Sequence, residues 1–564
     1  MLALIALGVN LAYIIWTIVC LEANVRKAKA LKVPIIRLPI DSNNNIWILL
    51  QSFVWEILDK LPIAWSSYPR FVRLSRRGWL FTEKAKIHEQ EGPVWALVTP
   101  VAINIQVADR DAIRDIVTRR GDFQRPIAEL KLLELYGPSV STARWEDWSR
   151  HRKVMAKPFN ETIMKSVWDE SVRQATGMLR SWTASTDGIA SYQKDTRALS
   201  LNVLAAIGFG KKYDFRGSTE PQADETGSYR DSLQTVLDNI ILLIVVPFNV
   251  LAMFPKSWGR IGKAAISFNN YMLKMLEEET QALAKGRPGS SGIMPLFVRA
   301  ADTYHQELSA ESDPKAAKKG LSVNEILGNL FVINFAGHDT TANTLAFCSL
   351  LLAAHPDVQA WLAEEIAFVT GNSPVETWDY RELFPRLKRC RATIYEALRL
   401  YPPVVAMPSI VSNHAQVLKI GTQTLTIPEG VTITVNLRAM QVHPALWDGP
   451  DDWRPSRWIS NSVLTTSATA DQIASEELIV QNRNVFFPWG DGPQICPGKK
   501  FSEVEAVAVL ACLFNTHRLA IKVQAGESGS AAIKRANECS NDVDLKMLVR
   551  LRDADRVTLV CSEA

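Results

Sequence analysis

Phe487-Pro-Trp-Gly-Asp-Gly-Pro-Gln-Ile-Cys-Pro-Gly498 is the stretch on which the reading of this chain turns. It is a run of turn formers placed directly before an apolar helical segment, Val504 to Phe514. Glycine and proline at this density impose tight φ/ψ demands and position whatever the loop carries. It carries Cys496. Helix-start amides are partly positive and favour a thiolate over a thiol. A thiolate in a shaped apolar site is the axial ligand with which haem iron activates oxygen. The plainer reading is a buried structural cysteine, a common core residue.

The rest of the chain bounds these two readings. With 564 residues, 47% of them hydrophobic, it has material for a large core. The net charge of +4 comes without dense Lys/Arg runs interleaved with aromatics, which argues against nucleic acid. A modestly basic face for an acidic partner protein is compatible with it. The 7 cysteines are scattered and contain no Cys-x-x-Cys, so neither a disulfide framework nor a zinc site is supported, and a reducing compartment fits best.

Met1 to Cys20 is almost wholly apolar, with Asn10 and Thr17 as its polar breaks. Roughly 20 helical residues span a bilayer core. No basic region precedes the stretch, as a cleaved signal would require. Arg26, Lys27, Lys29, Lys32 and Arg37 follow it and place that flank in the cytosol. Residues 1–21 are therefore expected as a single-pass membrane anchor. Residues 22–60 are expected as a basic, proline-broken linker and membrane-proximal segment, and 61–564 as the catalytic domain. Within that segment Ile46 to Leu61 reads either as a helix resting on the membrane or as an ordinary packed helix.

The body is expected to be mainly α with small β-sheets. Helix-like spacing covers Asp111–Arg119, Glu161–Trp182, Val323–His355, Val358–Val369, Arg391–Leu400 and Glu503–Phe514. Strand-like alternation covers Val101–Ala108, Val417–Ile427, Thr432–Asn436 and Arg556–Val560. Polar stretches at Arg216–Asp231, Lys285–Gly292, Ser309–Gly320 and Gly526–Asp542 read as surface loops. Ile240–Met253, interrupted by Pro247, reads as a core helix or as a membrane-touching entry segment.

Four further motifs stand in order before the cysteine. Trp148 and Arg152, at i and i+4, share a helix face and suit a carboxylate, or belong to a solvated basic face. Ala336-Gly-His-Asp-Thr-Thr341 interrupts a helix that is apolar nearly all round. There Asp339 beside Thr340 suits proton relay, and Gly337 leaves room for a small ligand. The alternative is two helices, one ended by Gly337 and the next capped by Asp339 or Thr340. Glu396 and Arg399, at i and i+3, form a pair that Arg457 of Trp453-Arg-Pro-Ser-Arg-Trp458 can close into a staple.

Together, in this order, these motifs resemble the cytochrome P-450 superfamily. The wording around Cys496 resembles fungal microsomal members most. The resemblance implies the P-450 fold and a haem b cofactor whose iron takes Cys496 as axial ligand. It implies that Asp339 and Thr340 deliver protons during dioxygen activation. Ala336 and Gly337 would flank the oxygen pocket, and Trp148 and Arg152 would hold a haem propionate. Glu396, Arg399 and Arg457 would form the structural triad behind the haem, while Trp489, Gly492 and Gly498 would shape the cysteine loop. Three positions depart from the pattern. Trp489 stands for the usual Phe, Gln494 for the usual Arg two before the cysteine, and Ser456 for a Glu.

The implied activity is a haem-thiolate monooxygenase placing one oxygen atom of O2 in a hydrophobic small molecule, as a tailoring step in fungal secondary metabolism. Gly208-Phe-Gly210 lacks the third glycine of a dinucleotide fingerprint, so electrons are expected from another protein, which the resemblance implies to be an NADPH-dependent haemoprotein reductase at the endoplasmic reticulum membrane. Lys499 and Lys500 would help it dock. Gln124–Ser141, Asn329–Gly337 and Val404–Met407 are expected to line the substrate pocket. Two other readings are a haem-thiolate isomerase or dehydratase acting on a peroxide, and a haem sensor or carrier without turnover. The acid–alcohol pair argues against both.

Overall fold

The computed structural model describes residues 2–41, 44–216, 229–286, 292–309, 319–460, 469–480, 485–545 and 547–564. Three of the four polar stretches read as loops fall largely outside these residues. Helices dominate. The strands are β1 (Ile35–Arg37), β2 (Val94–Val98), β3 (Ile103–Val107), β4 (Phe123–Gln124), β5 (Met407–Val411), β6 (Gln416–Ile420), β7 (Gln423–Ile427), β8 (Thr432–Val435), β9 (His517–Ile521), β10 (Val543–Leu545), β11 (Val549–Leu551) and β12 (Leu559–Glu563). The main sheet runs β1-β2-β3-β8-β5-β4, and β6–β7, β9–β12 and β10–β11 form small pairs. The alternation read over Val417–Ile427 resolves into the β6–β7 hairpin, which places Leu418 opposite Leu425, both buried.

The helix Val323–Ala354 runs through the core. It opens on a capping box, in which the Ser322 hydroxyl accepts from the Glu325 amide while the Glu325 carboxylate accepts from the Ser322 amide. It is continuous across Gly337, which corrects the two-helix alternative. Gly337 does not end the helix. It admits Leu204 of the Tyr192–Phe209 helix, which would lie 3.1 Å from a β-carbon there. Gly328 serves the same purpose against backbone, since its β-carbon would meet the Gly137 carbonyl at 2.2 Å. Next to it Asn329 accepts from the Val140 amide at 2.8 Å, so the helix and the 137–140 loop dock as one piece.

The helix Lys499–Thr516 follows Cys496 and packs along the Glu161–Thr183 helix. Its body is apolar and holds two buried acids: Glu503, which accepts from the Tyr395 hydroxyl at 2.7 Å, and Glu505, whose carboxyl oxygens have no partner in hydrogen-bonding geometry. Burial pushes the Glu505 pKa up to about 8, with the Ser200 hydroxyl pulling the other way.

Gly526–Asp542 is not a loop. Gly529–Asn541 is a helix capped by the Ser528 hydroxyl, and it buries Ala532, Ala536 and Cys539 at helical spacing. Its buried stripe is made of small residues, so the hydrophobic pattern is faint. Ile240–Met253 breaks at Pro247 into two short helices, Ile240–Val245 and Phe248–Leu251. Leu243 and Leu251 face the core, while Val245, Val250 and Met253 are exposed.

At the N-terminus a helix spans Leu2–Ala28. The side chains of residues 1–7, 9 and 10, which belong to the expected anchor, lie outside the described residues. Leu21, Val25 and Ala28 pack on Ala96 and Val98 of the sheet, and β1 pairs parallel to β2. Residues 21–28 and β1 thus pack on the main sheet. The helix Asn45–Leu58 buries Gln51 and Trp55 and exposes Phe53 and Ile57. Among the described residues no single helix is long and apolar enough to cross a membrane. One bent pair passes on length and composition, Val323–Ala354 with Pro356–Thr370 at 111°, and both helices are largely buried in the core.

Glu505 yields a pH test. Its folded pKa lies above its ordinary value of 4.5, so the native state binds more protons between about 4.5 and 8. Its contribution is therefore present at low pH and lost as pH rises through 8. Glu505→Gln should remove this, with the slope of unfolding free energy against pH between roughly 5 and 7.5 becoming less negative by up to about 1.4 kcal/mol per unit. Urea unfolding of both proteins across that range measures it, and identical slopes would refute the assignment.

Candidate functional site

Cys496 sits between a turn and a helix start. Gly490 and Gly492 adopt left-handed φ values of 71° and 70°, and a β-carbon on Gly492 would strike the Val117 carbonyl at 2.3 Å. The Gly490 amide donates to the Phe487 carbonyl, and the Cys496 amide donates to the Trp489 carbonyl at 2.9 Å. The loop is thereby closed on itself. Gly498 is the N-cap of the Lys499–Thr516 helix. Trp489 is tied down by its indole N–H, which donates to the Ser502 hydroxyl at 3.0 Å, so the larger ring is accommodated within the same turn.

The Cys496 side chain is exposed, unlike the buried Cys348, Cys390, Cys512 and Cys539. That rules against the plain structural reading. Protein nonetheless surrounds it, and desolvation raises its pKa above the ordinary thiol value, opposed by the Gly498 amide and the Arg152 guanidinium. The Gly498 amide at the helix start favours the thiolate, in the direction expected, against that desolvation.

The mutual influence of Arg152 and Cys496 brings the Trp148–Arg152 motif to the cysteine loop. Trp148 is buried and stacks face to face on Trp145, at 5.5 Å and 6°. The intervening Arg150 bridges Asp147 and Glu325, fastening this helix to the central one.

On the central helix, Ala336 is exposed and Gly337 and Thr340 are half-exposed, within a run of buried residues. Asn329 to Phe335, the first part of the expected pocket lining, are buried. The Thr340 hydroxyl donates to the Ala336 carbonyl at 2.9 Å. Asp339 points elsewhere. Arg197 clamps it with two hydrogen bonds, Nε to Oδ1 at 2.8 Å and Nη2 to Oδ2 at 3.2 Å. His338 Nε2 lies 3.3 Å from Oδ1 with no hydrogen bond of its own, and Nδ1 meets the Asn334 carbonyl. Burial would raise the Asp339 pKa, but His338 and Arg197 bring it below the ordinary carboxylate value. The acid and the alcohol are chain neighbours with separate partners.

The staple closes as read. Arg399 grips Glu396 with Nε and Nη2, both at 2.9 Å, and Arg457 Nε reaches Oε1 at 2.9 Å. Trp458 Nε1 adds a bond to Oε2 at 2.9 Å, and the Arg454 amide adds one to Oε1. Glu396 and Arg399 are wholly buried. Arg399 also donates to the carbonyls of Gln441, Pro450 and Asp452.

Residues 64–528 match the Cytochrome P450 family. The chain belongs to the cytochrome P450 family. These are monooxygenases, oxidoreductases that bind haem iron through a cysteine thiolate and use O2 with a redox partner. This P450 is 27% identical to a cytochrome P450 monooxygenase of Arthrobotrys oligospora over 94% of both chains. It is 26% identical to one of Penicillium roqueforti over 91% of this chain and 90% of that one. It is also 27% identical to a phomenoic acid biosynthesis cluster cytochrome P450 monooxygenase of Leptosphaeria maculans, over 87% of both.

The residues present fit a haem. The open Cys496 is a suitable iron donor, and a buried Gln494 oxygen without a partner lies in a small cleft with Arg120 and Arg125, suited to carboxylates. Sequence reasoning missed Arg120, Arg125, Arg197, His338 and Trp458. Trp458 and His338 stood inside quoted motifs. Arg197 was signalled only as a cation just before the apolar run Leu199–Phe209. Lys500, expected at a docking face, is paired with Glu161, and Lys499 lies over the Trp489 ring.

Glu396→Gln should destabilise the fold by about 3–5 kcal/mol, because two guanidinium groups are left in the interior without their counter-charge. The same acid-to-amide change at the unpaired Glu505 should cost far less. Urea midpoints at pH 7 compare the two.

Proposed function

We propose that this P450 is a haem-thiolate monooxygenase in which Cys496 ligates the iron and a hydrophobic small molecule is oxidised. The observation that carries this is the open Cys496 thiol, held by a closed turn within electrostatic reach of Arg152. A haem held there would supply reductive dioxygen chemistry, with Cys496 as its thiolate donor. Trp148 and Arg152 would hold a haem propionate. Ala336 and Gly337 leave space on the central helix. Thr340 orients a proton at its hydroxyl, and Asp339 replenishes it from the side of Arg197 and Asp238, the latter half-exposed. Because the two side chains have separate partners, the transfer needs a bridging water or a turn of the Asp339 side chain away from Arg197.

Val404, Ala406 and Met407 leave partly exposed apolar surface for substrate. The biosynthetic-cluster relative supports a tailoring step in secondary metabolism. Electrons come from a separate NADPH-dependent haemoprotein reductase. Leu11, Tyr13, Ile14, Trp16 and Val19 are each more than half exposed, an apolar surface that a bilayer would cover. That supports residues 1–21 as a single-pass anchor in the endoplasmic reticulum with the catalytic domain facing the cytosol.

The reduced, carbon-monoxide-treated protein should show the Soret band of thiolate ligation, and its absence from haem-loaded protein would sink the proposal. Thr340→Ala should keep oxygen consumption and divert it to hydrogen peroxide. Asp339→Asn should lower product formation about 10²-fold. Product formed from a peroxide without NADPH or O2 would favour the isomerase reading instead. Deleting residues 1–20, which leaves Leu21 and Val25 on the sheet, should move the protein from the membrane pellet to the supernatant. Continued pelleting of folded protein would count against the anchor.

A further inference from the structure

His338 stands inside the relay motif without a role of its own, and it is 1% exposed. Its Nδ1 lies 2.6 Å from the Asn334 carbonyl, one turn back on the central helix. A carbonyl oxygen only accepts, so Nδ1 carries the hydrogen and donates. In the neutral ring Nε2 is then a bare lone pair. It is buried and has no hydrogen-bond partner. Asp339 Oδ1 lies 3.3 Å from it. Two acceptors therefore face each other in the interior, an arrangement that is one proton short.

His151, also buried with no hydrogen-bond partner at Nε2, is wired the other way. Asn329 Oδ1 accepts from the Val140 amide, so Asn329 Nδ2 donates to His151 Nδ1 at 3.0 Å. That puts the His151 hydrogen on Nε2, 3.5 Å from Glu325 Oε1, as a donor toward a carboxylate. His151 is complete as it stands, and His338 is not.

Asp339 needs a different partner in each of its states. Ionised, it takes the two Arg197 hydrogen bonds. Protonated, it needs an acceptor, which a guanidinium cannot be and a bare Nε2 is. A proton between Oδ1 and Nε2 bonds to both, as acid to imidazole or as imidazolium to carboxylate. The charges acting on the pair are Arg197 of the Tyr192–Phe209 helix, Asp238 at the end of the Tyr229–Asp238 helix and Arg550 of β11. Desolvation, the largest influence, and Arg197 keep His338 below its ordinary pKa, against Asp339, the Asn334 carbonyl and Asp238. The ring is therefore neutral at pH 7 and Nε2 is open.

We propose that His338 is a positioning residue for proton delivery, its Nε2 holding the transferable proton against Asp339 Oδ1. This rests on Asp339 and Thr340 acting as the relay. A proton from solvent on the Asp238 side is taken up as Asp339 leaves Arg197, is held between Oδ1 and Nε2, and passes on toward Thr340. Asp339 then returns to Arg197. No oxidation state changes at either residue.

With 8 histidines in the chain, nitrogen-15 spectra of the histidine-labelled, ferrous carbonmonoxy holoenzyme are sparse enough to read. The His338 Nε2 resonance is the one lost in His338→Gln. In the wild type it should stand at the position of a bare imidazole nitrogen. Asp339→Asn puts a permanent amide donor where the acid carries a transient one, and should move the resonance toward the hydrogen-bonded position. An unmoved resonance overturns the proposal. Turnover reads the same contact. His338→Phe should lower product formed per O2 about two- to tenfold, the range for one lost hydrogen bond. Hydrogen peroxide should make up the difference, and the solvent deuterium isotope effect on product formation should rise. His338→Gln, which keeps an acceptor oxygen, should recover most of the loss, with substrate affinity unchanged in both. Unchanged coupling and isotope effect in His338→Phe overturn the proposal. If His338→Phe does not fold, the Asp339→Asn spectrum decides. Full coupling in Thr340→Ala overturns the relay itself, on which the proposal rests.

Discussion

The carboxylate of Glu396 is the point on which the site depends. It accepts five hydrogen bonds, from Arg399 twice, from Arg457, from Trp458 and from the Arg454 amide. Charge buried this deeply is tolerable only when every lone pair is used. The bonds join the Lys388–Leu400 helix to the 448–458 segment and fix the Trp458 ring. Trp458 packs on Phe486 at 4.6 Å, and Tyr395, one residue before Glu396, packs on both Phe486 and Trp489. A path of rings thus runs from the charged cluster to the loop that carries Cys496. The cluster acts at a distance, by making the loop's floor rigid.

Where a residue type and its spacing settle the matter locally, the sequence was legible. The helices over Glu161–Trp182 and Val323–His355 stand within a residue or so of the reading, because long apolar periodicity is hard to mistake. The Glu396–Arg399–Arg457 staple was readable because its partners are charged, and charges placed inside must find one another. The helix at Gly529–Asn541 was illegible, since alanines and a cysteine bury little area and leave a weak pattern. Gly337 was ambiguous for another reason. A glycine that ends a helix and one that admits a neighbour look alike until Leu204 is seen against it.

The partners of the functional side chains were the larger gap. Nothing near Asp339 in the chain announces Arg197, which arrives from another helix and keeps the acid ionised at rest. Nothing near Gln494 announces Arg120. Motifs name the group that performs a step. The group that tunes it comes from wherever the fold brings a neighbour, and only the three-dimensional arrangement reveals it.

The unbroken turn through Asp339 and Thr340 has one more consequence. Successive residues of a helix point about 100° apart. The carboxylate therefore faces Arg197 and the half-exposed Asp238, while the hydroxyl sits on the side opened by Ala336 and Gly337. The backbone between them works as a partition with a different chemistry on each side. Thr341 to Ala354 are buried, so the opening at Ala336, Gly337 and Thr340 is confined to this one stretch of the helix.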